Sequence, residues 1–301
     1  MFKLKILISK ISTNLISNSA IVIKQIDRRH LSIFHRLYGK KFIDQENRYA
    51  HKVFEAHSKY PIYNNAPLCT VNSVQFKPDQ KWYQLSGADI LETFKVISKH
   101  CAEDGLCISD SRFDAFVDCF TEKCFDLTDD QLVEALRILK HMPETDDINI
   151  RNFNELWRCL DDACVHRIQS WDISRILLVC DHWYMLGLAR ICKFNWEANK
   201  KIGRKIRKLP KHQLVQTIFY CNLLRKPIVE MMDFELNMID CIDKMTIDEI
   251  AIMSMGFFKT QTTIKNPELI HAIYKRLIKE VDKVEDICLV NILKVGANLN
   301  F

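Results

Sequence analysis

KKIGRKIRKLPKHQLVQTIFYCN, residues Lys200–Asn222, joins a basic helix end to the start of an apolar helix. Pro210 suits a first helical position, because the N–H that proline lacks would be unpaired there in any case. Leu214, Val215 and Ile218 follow Leu209 at spacings that place them on one buried face. Upstream, Ala198, Ile202 and Ile206 form a second apolar stripe. Lys200, Lys201, Arg204, Lys205, Arg207, Lys208 and Lys211 lie mostly off that stripe. One side of the stretch packs, and the other presents a dense positive strip.

The same helix start recurs along the chain. Leu85-Ser86 precedes Ile90, Leu91 and Phe94; Leu127-Thr128 precedes Leu132, Val133 and Leu136. Trp171-Asp172 precedes Ile176, Leu177 and Cys180, and Met245-Thr246 precedes Ile250 and Ala251. A weaker copy runs Asp282, Ile287, Cys288, Asn291. Each lead residue stands five positions before the first core residue, and Ser86, Thr128, Asp172 and Thr246 have the oxygens that cap free helical N–H groups. The leads at 85, 127, 171, 209, 245 and 282 are separated by 36 to 44 residues, the period of stacked helical hairpins. The expected fold is all-α, a right-handed-type solenoid of such hairpins. The helix pairs are 86–100 with 109–123, 128–141 with 151–168, 172–186 with 188–208, 210–224 with 228–243, and 246–258 with 267–280. Helix 286–294 opens a further pair whose face of Ile287, Leu289, Val290 and Leu293 has no second helix in the sequence. That points to an early end of the repeat array, with 295–301 as its tail.

Composition agrees with a helical chain. Seven glycines and seven prolines in 301 residues disfavour a turn-rich β architecture, and 48% hydrophobic residues supply a sizeable core. The twelve cysteines show no CxxC or Cys/His array of zinc type, so they read as small apolar fillers in a reducing compartment. Charge is unevenly placed. Met1–Leu31 has six basic residues against Asp27, which accounts for the net +5. Glu103–Asp162 has sixteen acids and six bases, whereas Ala163–Lys226 has thirteen bases and three acids. Such polarity suggests a polyanion partner for the basic part.

The first 31 residues are basic, rich in Ser and Asn, and nearly free of acids, the composition of a mitochondrial transit peptide. Lys10, Asn14, Ser17 and Asn18 interrupt the apolar run too often for a membrane span. Arg29-His30-Leu31-Ser32 resembles a matrix-processing site. Residues 32–84 read as a linker or loosely ordered cap, with Pro61, Asn64-Asn65, Pro67 and Pro78 as loop signals.

No glycine-rich phosphate loop, HExxH, GxSxG or kinase lysine–aspartate set is present, so the chain reads as a non-enzyme without cofactor or metal. Asp129-Asp130 and Asp146-Asp147 read as anions near helix N-termini. Basic residues recur near the end of the first helix of each pair: Lys99, Lys140, Arg225 with Lys226, Lys259 and Lys294. They suit either carbonyl capping or a ridge of phosphate contacts. Ser98, Lys140, Tyr184, Asn222 and Phe258 fall at one repeat position, a column suited to stacking on or bonding to unpaired bases.

Three segments bear a family resemblance. DLTDDQLVEALRILK (Asp126–Lys140), LPKHQLVQTIFYCNLLRKP (Leu209–Pro227) and MTIDEIAIMSMGFFKTQ (Met245–Gln261) resemble the helical repeats of the FAST kinase domain-containing proteins. The resemblance covers Leu85–Lys294. It implies a mitochondrial matrix protein that binds single-stranded mitochondrial RNA, in company with other RNA-processing proteins, during processing or stabilisation of transcripts. Family members continue into two short FAST subdomains and a RAP domain, which this sequence lacks after Lys294, so no family nuclease or kinase activity has residues to rest on. The expected RNA contacts are Lys200, Lys201, Arg204, Lys205, Arg207, Lys208, Lys211, Arg225, Lys226 and Lys259. The competing expectation is an armadillo-like scaffold whose acidic and basic segments dock separate protein partners.

Overall fold

The computed structural model describes residues 81–142, 151–228 and 230–297. The chain divides into two units, Met1–Lys41 and Phe42–Phe301, and every described residue belongs to the second. The transit-peptide segment 1–31, most of the linker (32–80) and residues 298–301 of the tail lie outside the described residues.

Among the described residues the fold is all-α, with eleven α-helices and no strand. They are α1 (Gly87–Asp104), α2 (Asp114–Lys123), α3 (Asp129–His141), α4 (Arg151–Arg167), α5 (Ile173–Met185) and α6 (Lys193–Gly203). Then come α7 (Lys211–Leu224), α8 (Met231–Cys241), α9 (Ile247–Lys259), α10 (Pro267–Glu280) and α11 (Asp286–Ala297). Each odd-numbered helix packs on the next odd one, from α1 through to α11. In the even series α2 packs on α4, α4 on α6 and α8 on α10. The gap from α6 to α8 is bridged by the 3-10 turn Ile206–Lys208. From α1 to α9, each odd helix also touches the even helix that follows it.

Local chemistry explains where the helices start. Ser86 and Asp89, Thr128 and Gln131, and Thr246 and Glu249 form reciprocal capping boxes at α1, α3 and α9. Asp172 accepts from Arg175 N at 2.8 Å to cap α5. Each such cap stabilises its helix by about 1 kcal/mol. The leads Leu127, Trp171, Leu209 and Met245 are buried just ahead of the caps. At three of these starts the preceding residues form a 3-10 turn whose first carbonyl accepts the lead's N–H: Cys124 from Leu127, Ile206 from Leu209, and Ile242 from Met245. The recurring unit is therefore an even helix, a tight turn, an apolar lead, a cap and an odd helix.

The two series bury differently. In α7 every residue from Leu214 to Cys221 is buried, and in α9 every residue from Glu249 to Phe257. In α10 only Leu269, Ile273 and Leu277 are buried, a single stripe four residues apart. A fully buried Leu, Ile or Phe contributes roughly 1.5–3 kcal/mol, so most of the apolar stabilisation sits in the odd series. The close approach of α7 and α9 needs Gly256, since a Cβ there would lie 2.3 Å from Ile218 Cγ1.

The units are also tied by polar groups that reach across them. Asp161 of α4 accepts from the N–H groups of Lys193 and Phe194, at 2.7 and 2.9 Å, at the start of α6. Glu235 of α8 accepts likewise from Lys265 and Asn266, ahead of α10. In the opposite direction, side-chain donors of later even helices close the carbonyls of earlier turns. Arg167 donates to Phe125 O, Asn237 to Ile206 O and Leu209 O, and Arg276 to the carbonyls of Ile242, Asp243 and Met245.

Several boundaries differ from those expected. Pro210 is the N-cap of α7, with φ −65° and ψ 157°, rather than its first helical residue. The helix expected over 188–208 is confined to Lys193–Gly203. Gly187, at φ 74°, ends α5, and the turn after it runs to Cys192 before the Asp161 carboxylate can cap α6. The helix expected over 109–123 begins at Asp114, because Asp110 caps the 3-10 turn Ser111–Phe113 instead. In the last unit Asp282 lies inside the 3-10 turn Val281–Lys283, so the lead position falls to Val284. Helix α11 runs on to Ala297, past the end expected at Lys294, because Val295 continues the buried stripe of Cys288, Asn291 and Ile292. Ile287, Leu289, Val290 and Leu293 are half-buried. Trp82–Gln84, the described end of the linker, is a 3-10 turn against α2.

Candidate nucleic-acid interface

The basic stretch starts on α6, whose stripe of Phe194, Ala198 and Ile202 is buried. The opposite face, at intervals of three and four residues, presents Lys193, Trp196, Lys200 and Arg204. Lys193 and Lys200 are mostly exposed and pair with Asp162 at 2.9 Å and Glu197 at 2.6 Å. Arg204, Lys205 and Lys208 are exposed and enter no ion pair among the described residues. The turn Ile206–Lys208 turns Ile206 into the core and leaves its two cations outside.

The ten expected contacts do not behave alike. Lys201 sits beside the buried stripe, and its Nζ donates to the carbonyls of Ile168 (2.7 Å), Gln169 (2.8 Å) and Trp171 (2.6 Å). Burial, and then the charge of Lys205, draw its pKa below the usual lysine value. It closes a turn in the manner of Arg276. Lys211 is drawn to Glu249, which is fully buried, at 2.9 Å and to Lys244 O at 3.3 Å, tying the start of α7 to that of α9. Arg207 donates to Asp240 at 2.6 Å. Arg225 is exposed and ends α7 in the left-handed region, φ 53° and ψ 37°. Lys226 is exposed and holds its Nζ 5.8 Å from the centroid of the Trp196 ring. Lys259 is half-buried in the last turn of α9, outside the cluster built around α6.

The structure thus leaves Lys200, Arg204, Lys205, Lys208, Arg225 and Lys226 as exposed cations, with Lys226 set against α6 at Trp196, and adds Lys193 and Trp196, which the sequence reading omitted. Their signal was present in the helical spacing to Lys200. The column expected to meet bases divides: Ser98 is buried, while Lys140, Tyr184, Asn222 and Phe258 are half-buried. The Tyr184 ring meets Phe219 edge-on at 5.1 Å, and Lys294 lies 5.4 Å over Phe258, so both aromatics pack between neighbouring units.

Other polar clusters are built into the interior. Asp181 accepts from Gln216 at 2.6 Å and from the Tyr220 hydroxyl. Beside it His182 is buried, and burial, followed by the charges of Lys140 and Arg137, pushes its pKa down to about 3. The Cys101 and Cys221 thiols are pushed up to about 12 chiefly by burial, the environment of inert fillers. Asp161 and Asp162, adjacent carboxylates of α4, serve a helix cap and an ion pair. Among the described residues no group of three or more His, Cys, Asp or Glu is placed to hold a metal ion, and no helix is long and apolar enough to cross a membrane.

Comparison with protein-family models, with curated protein sequences and with solved structures finds no match to this chain.

Proposed function

We propose that this protein is a helical-repeat solenoid that binds single-stranded RNA through the outward cations of the α6–α7 junction. It acts in the mitochondrial matrix on the processing or stability of transcripts, without catalysis of its own. One observation supports this reading most: Arg204, Lys205 and Lys208 are exposed and unpaired among the described residues while the cations beside them are occupied. Exposed cations with no carboxylate partner keep their charge available to a polyanion, and phosphate neutralisation supplies most of non-specific RNA affinity. The alternation of odd and even helices supports the solenoid, because each unit touches chiefly its neighbours. The matrix address rests on the basic, acid-poor first 31 residues. N-terminal sequencing of the organellar protein is expected to begin near Ser32, and a mature form retaining Met1 would overturn that address.

The RNA reading is tested with the variant Lys200→Gln, Arg204→Gln, Lys205→Gln, Lys208→Gln, which spares Lys201 and its turn. Affinity for unrelated single strands is expected to fall alike. The slope of log affinity against log salt should become shallower by about 0.7 for each phosphate that the variant no longer neutralises. Binding as tight as the parent's at physiological salt would remove this strip as the RNA site and favour the armadillo-like scaffold. The scaffold reading draws on the acid-rich region around α2 and α3, where Asp126 and Asp130 are exposed.

A further inference from the structure

We infer that Trp196 is a stacking platform for one unpaired nucleobase of the RNA, with Lys200, Arg204 and Lys226 holding the phosphates on either side. The inference rests on the RNA reading above and adds to it a specific contact. Trp157, Trp171 and Trp183 are buried, whereas Trp196 is half-buried and keeps part of its ring open on the outward face of α6. Lys200 and Arg204 follow it at four and eight residues, and so lie along the same face. From the link after α7, Lys226 sets its ammonium 5.8 Å from the ring centroid.

An indole in such a setting has two uses for its π surface. In the absence of RNA it attracts the lysine cation through the ring's negative face. A base, flat and polarisable, stacks more favourably than an exposed ammonium and leaves Lys226 able to turn to a phosphate. The acids on this face, Asp162 and Glu197, already pair with Lys193 and Lys200, and so soften rather than reverse the positive field. Every base has a π face, so the platform accepts any sequence and prefers single strands, in which bases are unstacked.

The test uses the full chain with a 12-residue oligouridylate and an abasic strand of the same length and charge. The parent is expected to bind oligouridylate about tenfold or more tighter than the abasic strand, with quenched tryptophan emission. Trp196→Leu should lose that difference and the quenching together, and bind the abasic strand as the parent does. Trp196→Phe should keep most of the preference, because a smaller ring still stacks. Equal affinity of the parent for both strands overturns the platform without any variant having to fold. If Trp196→Leu binds oligouridylate like the parent while the four-Gln variant is weakened, the platform falls and the basic strip stands. If the parent binds neither strand, the RNA reading falls and the platform with it.

Discussion

The odd and even helices solve the same problem in different ways. Helices α7 and α9 are covered on nearly all sides, so that even Glu249, Ser254, Gln216 and Thr217 lie inside. Helices α6, α8 and α10 bury one stripe and secure their ends with polar groups from neighbouring units: Asp161, Asn237, Glu235 and Arg276. One series is held by shape and the other by directed hydrogen bonds. The difference teaches that a cation on an even helix is available to a ligand only where no turn lies beside it.

The sharpest way to break this contrast is to crowd the odd series. Gly256→Ala places a Cβ 2.3 Å from Ile218 Cγ1, and Ile218 is fully buried and has nowhere to go. Overpacking of this kind costs about 3 kcal/mol. Chemical denaturation should record it, and adding Ile218→Ala should restore part of the loss rather than add to it. An additive double variant would mean that the two helices do not meet as closely as described.

In the even series, Arg276→Met should cost about 2 kcal/mol, by leaving the carbonyls of Ile242, Asp243 and Met245 without their charged donor. Lys201→Met is expected to cost about as much, since it too leaves three carbonyls, those of Ile168, Gln169 and Trp171, without their charged donor. A Lys201 variant that melts with the parent yet loses RNA affinity would reverse the assignment of that residue.

Acid should separate the two series again. The native pKa of His182 is depressed to about 3, whereas the unfolded chain takes up the proton near pH 6.5. Between those values the unfolded state binds more protons, so stability falls as pH falls. The loss from pH 7 to pH 5 should reach about 2 kcal/mol from this group. His182→Leu should flatten that limb, and an unchanged pH profile would show that His182 is not buried as a neutral ring. At the small end, the four-Gln variant of the outward strip should melt within about 0.5 kcal/mol of the parent, as surface changes do.

Much of the helical order was legible in the sequence because its signals are local. Ser86, Thr128, Asp172 and Thr246 cap the helices they precede, and their apolar leads stand where the spacing put them. What was not legible depends on groups some thirty residues away. Lys193 begins α6 because Asp161 accepts from it, and nothing next to Lys193 announces that. Lys201 reads as one more lysine in a basic run, and only the carbonyls at 168–171 make it structural. Lys211 reads as exposed until the buried Glu249 is found beside it. Trp196 was legible in principle, since its spacing to Lys200 is helical, but the pairing with Lys226 required the α7–α8 link in place.

The reciprocal ties between units bear on how the molecule melts. A carboxylate of one even helix holds the start of the next, and a donor on a later one closes the turn behind it. Neither neighbour can unravel without exposing unpaired backbone groups in the other. In a nearest-neighbour description the interface term then outweighs the intrinsic stability of a single unit. A partly melted array, with a frayed end beside an intact middle, becomes a sparsely populated state. The described helices are accordingly expected to pass through one calorimetric transition, with equal van't Hoff and calorimetric enthalpies.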